Sequence, residues 1–158
     1  MDLVRGMIDR LSKMAEEKFA KYGGIAPLWF ALASNGDTFI IPKMGPDKDL
    51  QAQFVRYIFR EKDVIAYVFM DEAWVVEATM DTQEAVTKMS ATVGLEHHPD
   101  RREVVVIHAE DETSNLSFHR DIIRPAGGRV FLGPLIDDHF SHSEGRFVGM
   151  LPRRGTLQ

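Results

Sequence analysis

Apolar residues recur at three- and four-residue steps near the start of the chain: Val4, Met7, Ile8, Leu11, Met14, Ala15, Phe19 and Tyr22. Between them lie Arg5, Asp9, Lys13, Glu16, Glu17 and Lys21. That period predicts an amphipathic helix over 3–22. Asp2 offers an acceptor for the unpaired amides at its start, and Gly23-Gly24 tolerates the left-handed angles of a helix end. Two apolar runs follow, 27–34 and 37–42, on either side of Asn35-Gly36. This dipeptide suits the positive φ angles of a tight turn, so the segment predicts a β-hairpin. Pro42, Gly45 and Pro46 interrupt the chain, and Asp47 can cap a second helix over 47–61. Leu50, Phe54, Tyr57 and Ile58 read as its apolar stripe.

Residues 63–78 are apolar in both alternating registers, one through Val64, Val68, Met70 and Trp74, the other through Ile65, Tyr67, Phe69 and Val75. Such a run reads as a central strand with both faces partly covered, or as two strands turned at Asp71-Glu72. Asp81 and Glu84 have the spacing of a capping box, which predicts a helix over about 82–92 ended by Gly94. Glu96 to Arg101 reads as a polar loop. Strands are expected at 102–111, 116–124 and 128–133, with a short one at 146–151 after a polar stretch. Short connections favour antiparallel pairing. The expected class is α+β: an antiparallel sheet of five or six strands with two or three helices packed mainly on one face. One domain is expected over 1–151, with a flexible tail at 152–158.

Composition narrows the function classes. The 158 residues include no cysteine, so a thiol nucleophile, a thiolate zinc site and an iron–sulfur cluster are all excluded. A formal net charge of −5 argues against sequence-independent binding to nucleic acid, which needs a positive surface. No apolar run is long enough to span a membrane, and the charged N-terminus lacks the core of a signal peptide, so a cytoplasmic protein is expected. No phosphate-binding loop, dinucleotide fingerprint, nucleophile elbow or HExxH pair occurs.

Three pieces of the middle third stand out: Glu72-Ala73-Trp74, His98-Pro99-Asp100-Arg101-Arg102-Glu103-Val104, and Ala109-Glu110-Asp111. Their layout resembles a group of small uncharacterised proteins of bacteria and their phages. The resemblance implies a small accessory protein and carries over no activity, ligand or catalytic residue.

The most chemically suggestive segment is the late hairpin. A four-residue loop at 112–115 would oppose His108 to His119, with Glu110 and Asp121 beside them, on the face away from Val105, Ile107, Ala109, Leu116, Phe118 and Ile122. Two imidazoles and two carboxylates could hold a divalent metal, and His108, His119, Asp121 and Glu110 are therefore the candidate ligands. Solvated polar residues on an outer face would give the same pattern. Asp137-Asp138-His139 with His142 and Glu144, and the His97-His98 pair, are weaker clusters. Glu72 shares a register with Val68, Met70 and Trp74, so it must find a donor such as Arg102, Arg120 or Arg124, take up a proton, or point to solvent.

The reading preferred on this basis is a non-catalytic accessory or binding protein that recognises an unknown protein or its own second copy as a homodimer. The alternative is a metal-dependent hydrolase on the hairpin cluster, with a metal-activated water. A third is a nucleic-acid-associated protein using Arg101, Arg102, Arg120, Arg124 and Arg129.

Overall fold

The computed structural model describes residues 2–75, 99–138 and 147–152. Helix α1 (Asp2–Tyr22) is followed by β1 (Leu28–Ala33), β2 (Thr38–Pro42), α2 (Lys48–Glu61), β3 (Val64–Val75), β4 (Arg102–Asp111), β5 (Asn115–Ile123), β6 (Phe131–Leu132) and β7 (Ile136–Asp137). The strands form an antiparallel sheet in the order β2-β1-β3-β4-β5-β6, with β7 also on β5. This is the α+β class anticipated. The helix expected over 82–92 lies outside the described residues.

The β1–β2 hairpin forms at Asn35-Gly36 with a longer loop than a two-residue turn. Ala33 N–H bonds the Asp37 carbonyl, Gly36 N–H bonds the Ala33 carbonyl, and Gly36 takes φ 92°. A type I turn closed by one left-handed glycine gives this three-residue loop. The Asn35 side-chain carbonyl accepts from Asp37 N at 2.9 Å and holds the turn.

The two helices pack against residues of opposite parity. On β1 and β3, Leu28, Phe30, Ala66, Val68 and Met70 join α1 through Val4, Ile8, Leu11, Ala15 and Phe19. Trp29, Ala31, Tyr67 and Phe69 join α2 through Ala52, Val55 and Phe59. Adjacent strand residues point to opposite faces, so α1 and α2 lie on opposite sides of these central strands. α1 spans the broader cover, reaching β4, β5 and β6 through Val105, Ile107, Phe118 and Leu132. The expectation of helices mainly on one face thus holds for α1's cover and needs α2 added on the other. Burial of both registers of β3 is what its uninterrupted apolar sequence anticipates.

α2 begins as expected, with the Asp47 carboxylate accepting from Asp49 N and Leu50 N at 3.0 and 3.1 Å. Its buried side differs from the stripe inferred from sequence. Gln51, Ala52, Val55 and Phe59 face the sheet with Ile58 of the expected stripe packed beside them, and Leu50, Phe54 and Tyr57 face outward. Both sets have helical spacing; the Phe59 ring tilted against Tyr67 at 5.0 Å and Val55 in the same cluster settle which is inside.

Residues 147–151 form an irregular segment, where a short strand was expected. It covers the α2 face beyond the helix. The Phe147 ring meets Trp29 at 5.2 Å and Phe69 at 5.1 Å, and Met150 is buried. Arg56 from α2 donates to the Gly149 and Val148 carbonyls at 2.8 and 3.1 Å. The segment expected as a strand at 128–133 narrows to Phe131–Leu132.

Candidate functional site

The polar centre of the molecule lies on the α2 face, where β3, β4 and β5 run side by side. Register decides its membership. β4 pairs β5 with Glu110 opposite Asn115, His108 opposite Ser117, Val106 opposite His119 and Val104 opposite Asp121. The sequence-based register was two residues off. The cause is a shorter loop: Asp111, the last residue of β4, donates its N–H to the Ser114 carbonyl at 3.0 Å, and its carboxylate accepts from Thr113 N and Ser114 N at 2.8 and 2.6 Å. A slip of two keeps every side chain on its face. The core set Val105, Ile107, Ala109 and Phe118 is accordingly buried as anticipated. The histidine pairing is lost: His108 and His119 do not oppose each other.

Glu110 is the hub. It is 5% exposed, yet its carboxylate is well supplied with donors. Oε2 accepts the Tyr67 hydroxyl at 2.8 Å. Oε1 accepts Gly149 N–H at 2.8 Å, His108 Nε2–H at 3.1 Å and Asn115 Nδ2–H at 3.2 Å. A carboxylate accepts only, so His108 Nε2 carries a proton, and Nδ1 lies 3.2 Å from Ser117 Oγ. Burial pushes the Glu110 carboxyl upward, but the bonds from His108, Gly149 and Tyr67 outweigh it and hold the group below its ordinary range. Burial, then the Glu110 charge, push the Tyr67 phenol far upward, so it stays a donor. Sequence reading missed Tyr67 because it falls in an apolar register of β3, where a phenol looks like core.

An open cleft of about 770 Å³ adjoins this hub, lined among others by Val64, Glu110, Glu112, Asn115, Gly149 and Leu151. The carboxylate it reaches is already bonded on both oxygens. Glu110 is therefore held as an ionised acceptor.

The other two candidate ligands stand apart from this hub. His119 Nδ1 lies 2.8 Å from both oxygens of Asp138. Asp121 Oδ1 is 3.7 Å from Arg102. His119 Nε2 and Asp121 Oδ1 are buried without a hydrogen-bond partner. Both project from the same face of β5, two residues apart. Among the described residues, no three His, Asp or Glu groups are placed to hold a metal ion. Of the weaker clusters, Asp137 lies in β7, while His97, His98, His139, His142 and Glu144 lie outside the described residues.

Glu72 is exposed, and its donor is the Ile25 backbone amide rather than an arginine; burial of part of the carboxyl still pushes it upward. It lies against Gly24, where an added Cβ would come within 3.3 Å of Oε1. The arginines of the nucleic-acid reading do not form one exposed basic surface. Arg120 is buried, Arg124 bonds Glu103 at 2.7 Å, and Arg101 lies over the Trp74 ring at 5.2 Å. Arg101, Arg102 and Arg124 share a groove with Asp121 and Glu103, which offset much of their charge.

Arg120 is the buried cation sequence reading misassigned. It occupies the apolar register of β5 and reaches α1 through Ser12 and Glu16, and the β6–β7 connection through the Gly133 carbonyl at 2.6 Å. The signal was present: one charged residue in the otherwise apolar series Leu116, Phe118, Arg120, Ile122.

No described helix is long and apolar enough to cross a membrane. No family model matches the chain, and neither a curated protein nor a solved structure matches it.

Proposed function

We propose that this chain is a non-catalytic binding protein of the cytoplasm whose contact surface is the outer side of α2. The observation that carries this reading is the stripe left outside by α2's packing. Leu50, Phe54 and Tyr57 are 62%, 37% and 50% exposed, and Met44, just before the helix, is 59% exposed. Apolar side chains grouped on one surface are a common mark of a contact site, whereas scattered ones carry no such meaning. The closed Glu110 hub supports the non-catalytic half of the reading, since its donors and acceptors are spent on one another. Affinity capture with the full chain and with its Phe54→Glu/Tyr57→Glu variant tests it. A bound species, identified by mass spectrometry, should be retained by the natural chain and lost by the variant. Equal capture by both would refute the surface.

One observation favours a second reading, divalent-ion binding at β5. Asp138 orients the His119 ring as carboxylates orient metal-ligating histidines; His119 Nε2 has no hydrogen-bond partner, and Asp121 Oδ1, on the same face, accepts no hydrogen bond and lies 3.7 Å from Arg102. This keeps two of the four hairpin ligands of the hydrolase alternative. Untagged protein should then rise in melting temperature on adding zinc, and His119→Ala protein should not. An unchanged melting temperature in the natural chain removes this reading.

A further inference from the structure

α2's outer side has a charge pattern that matches itself. At about 100° per residue, Leu50, Phe54 and Tyr57 fall within roughly 60° of arc. By the same geometry Asp49, Gln53 and Arg60 lie together along one flank of that stripe. Arg60 already leans over the Tyr57 ring, its guanidinium 5.8 Å from the centroid. A negative group therefore sits at the start of the flank and a positive group at its end.

We infer that the occupant of this surface is a second copy of the chain, packed α2 against α2, antiparallel, about a two-fold axis passing close to Phe54. The inference rests on the reading of α2 as the contact surface and names its partner. A two-fold axis perpendicular to two antiparallel helices places the same flank of each helix side by side. With Phe54 near the axis, Leu50 meets Tyr57 of the partner subunit. Asp49 then stands opposite Arg60 of the partner subunit, and the symmetry makes that pair twice. A parallel two-fold would instead set this flank against the partner's opposite flank, so neither Asp49–Arg60 pair would form, and would leave Leu50 against Leu50. The apolar stripe supplies the attraction and the flank charges choose the direction, as flanking charges do in paired helices. A contact built on one helix per copy is at the small end of stable interfaces, so the dimer should be reversible and concentration-dependent.

The chain contains no cysteine, which makes a clean test possible. In sedimentation equilibrium the natural chain should pass from monomer to dimer as concentration rises. Phe54→Glu should weaken dimerisation at least tenfold with unchanged far-ultraviolet dichroism. Asp49→Arg should weaken it as well, and Asp49→Arg/Arg60→Asp should restore it, separating pairing from a loss of helix. Phe54→Cys should form a disulfide-linked dimer under mild oxidation, because only a residue near the axis meets its own copy within bridging distance. Lys13→Cys, on the exposed side of α1, should stay unlinked. A natural chain that remains monomeric at every concentration, or a Phe54→Cys chain that links no faster than Lys13→Cys, would overturn the inference. If a different protein were still captured by the natural chain and lost with Phe54→Glu/Tyr57→Glu, the contact surface would stand and the second copy alone would fall.

Discussion

Replacing Glu110 by leucine should lower unfolding stability by about 3–5 kcal/mol, the range seen when one partner of a buried charged network is removed. The loss comes from what is left behind. The Tyr67 hydroxyl, the His108 ring, the Asn115 amide and the Gly149 backbone amide would all lose their common acceptor. Each buried donor without a partner costs about 1–3 kcal/mol, and repacking recovers part of that. Urea titration should show a lower midpoint with an unchanged slope. A loss under about 1 kcal/mol would mean that the hub does not exist as described. Glu110→Gln keeps the shape and one carbonyl acceptor, and should fall between the two. Its comparison with the natural chain also has a defined pH dependence. Glu110 is held below its ordinary 4.5 when folded, so the fold favours the ionised form. The advantage over Glu110→Gln is then fully present above that ordinary value and disappears as pH falls through the lower folded one. An advantage that grows on acidification would contradict the assignment.

The second large effect is expected at Arg120. Arg120→Met should cost about 3 kcal/mol, because its acceptors include backbone carbonyls that no side-chain change can remove. The Gly133 and Leu132 carbonyls and the Ser12 hydroxyl lose their donor together. Glu16→Ala tests the ionic part separately. Its side chain is 59% exposed, and water can solvate the partner left behind, so it should cost under about 1 kcal/mol. Hydrogen exchange should quicken in α1 and around 131–137 in Arg120→Met, with β1 and β2 little changed. Similar losses from the two variants would locate the stabilisation in the ion pair instead of the carbonyl contacts.

The elements were legible in the sequence wherever a period and a stop signal coincide. α1 has both, as do the Asn35-Gly36 hairpin and the Asp47 cap. Alternation also assigned the buried side of β4 and β5 correctly. Pairing partners were harder to read, because the length of one loop decides them: Asp111 bonds across the shorter loop to Thr113 and Ser114, and the ladder moves by two. That shift preserves every face and changes every neighbour, so the core reading survived and the histidine pair did not. The buried side of α2 was illegible for another reason. Two apolar sets share helical spacing, and the choice depends on which fits Trp29 and Tyr67 from distant strands. Tyr67 itself bonds a residue 43 positions away, a separation no local pattern reports.

The long reach of the Glu110 hub has a consequence for a chain still being made. Gly149 is translated 39 residues after Glu110. At about 5–20 residues per second, that leaves an interval of roughly 2–8 seconds. Throughout it the carboxylate lacks one of its shortest donors, and the aromatic shelf of Trp29 and Phe69 lacks the ring of Phe147. The nascent sheet therefore waits with a wet, uncovered face until its own late segment arrives, and anything that protects nascent chains would find its work there.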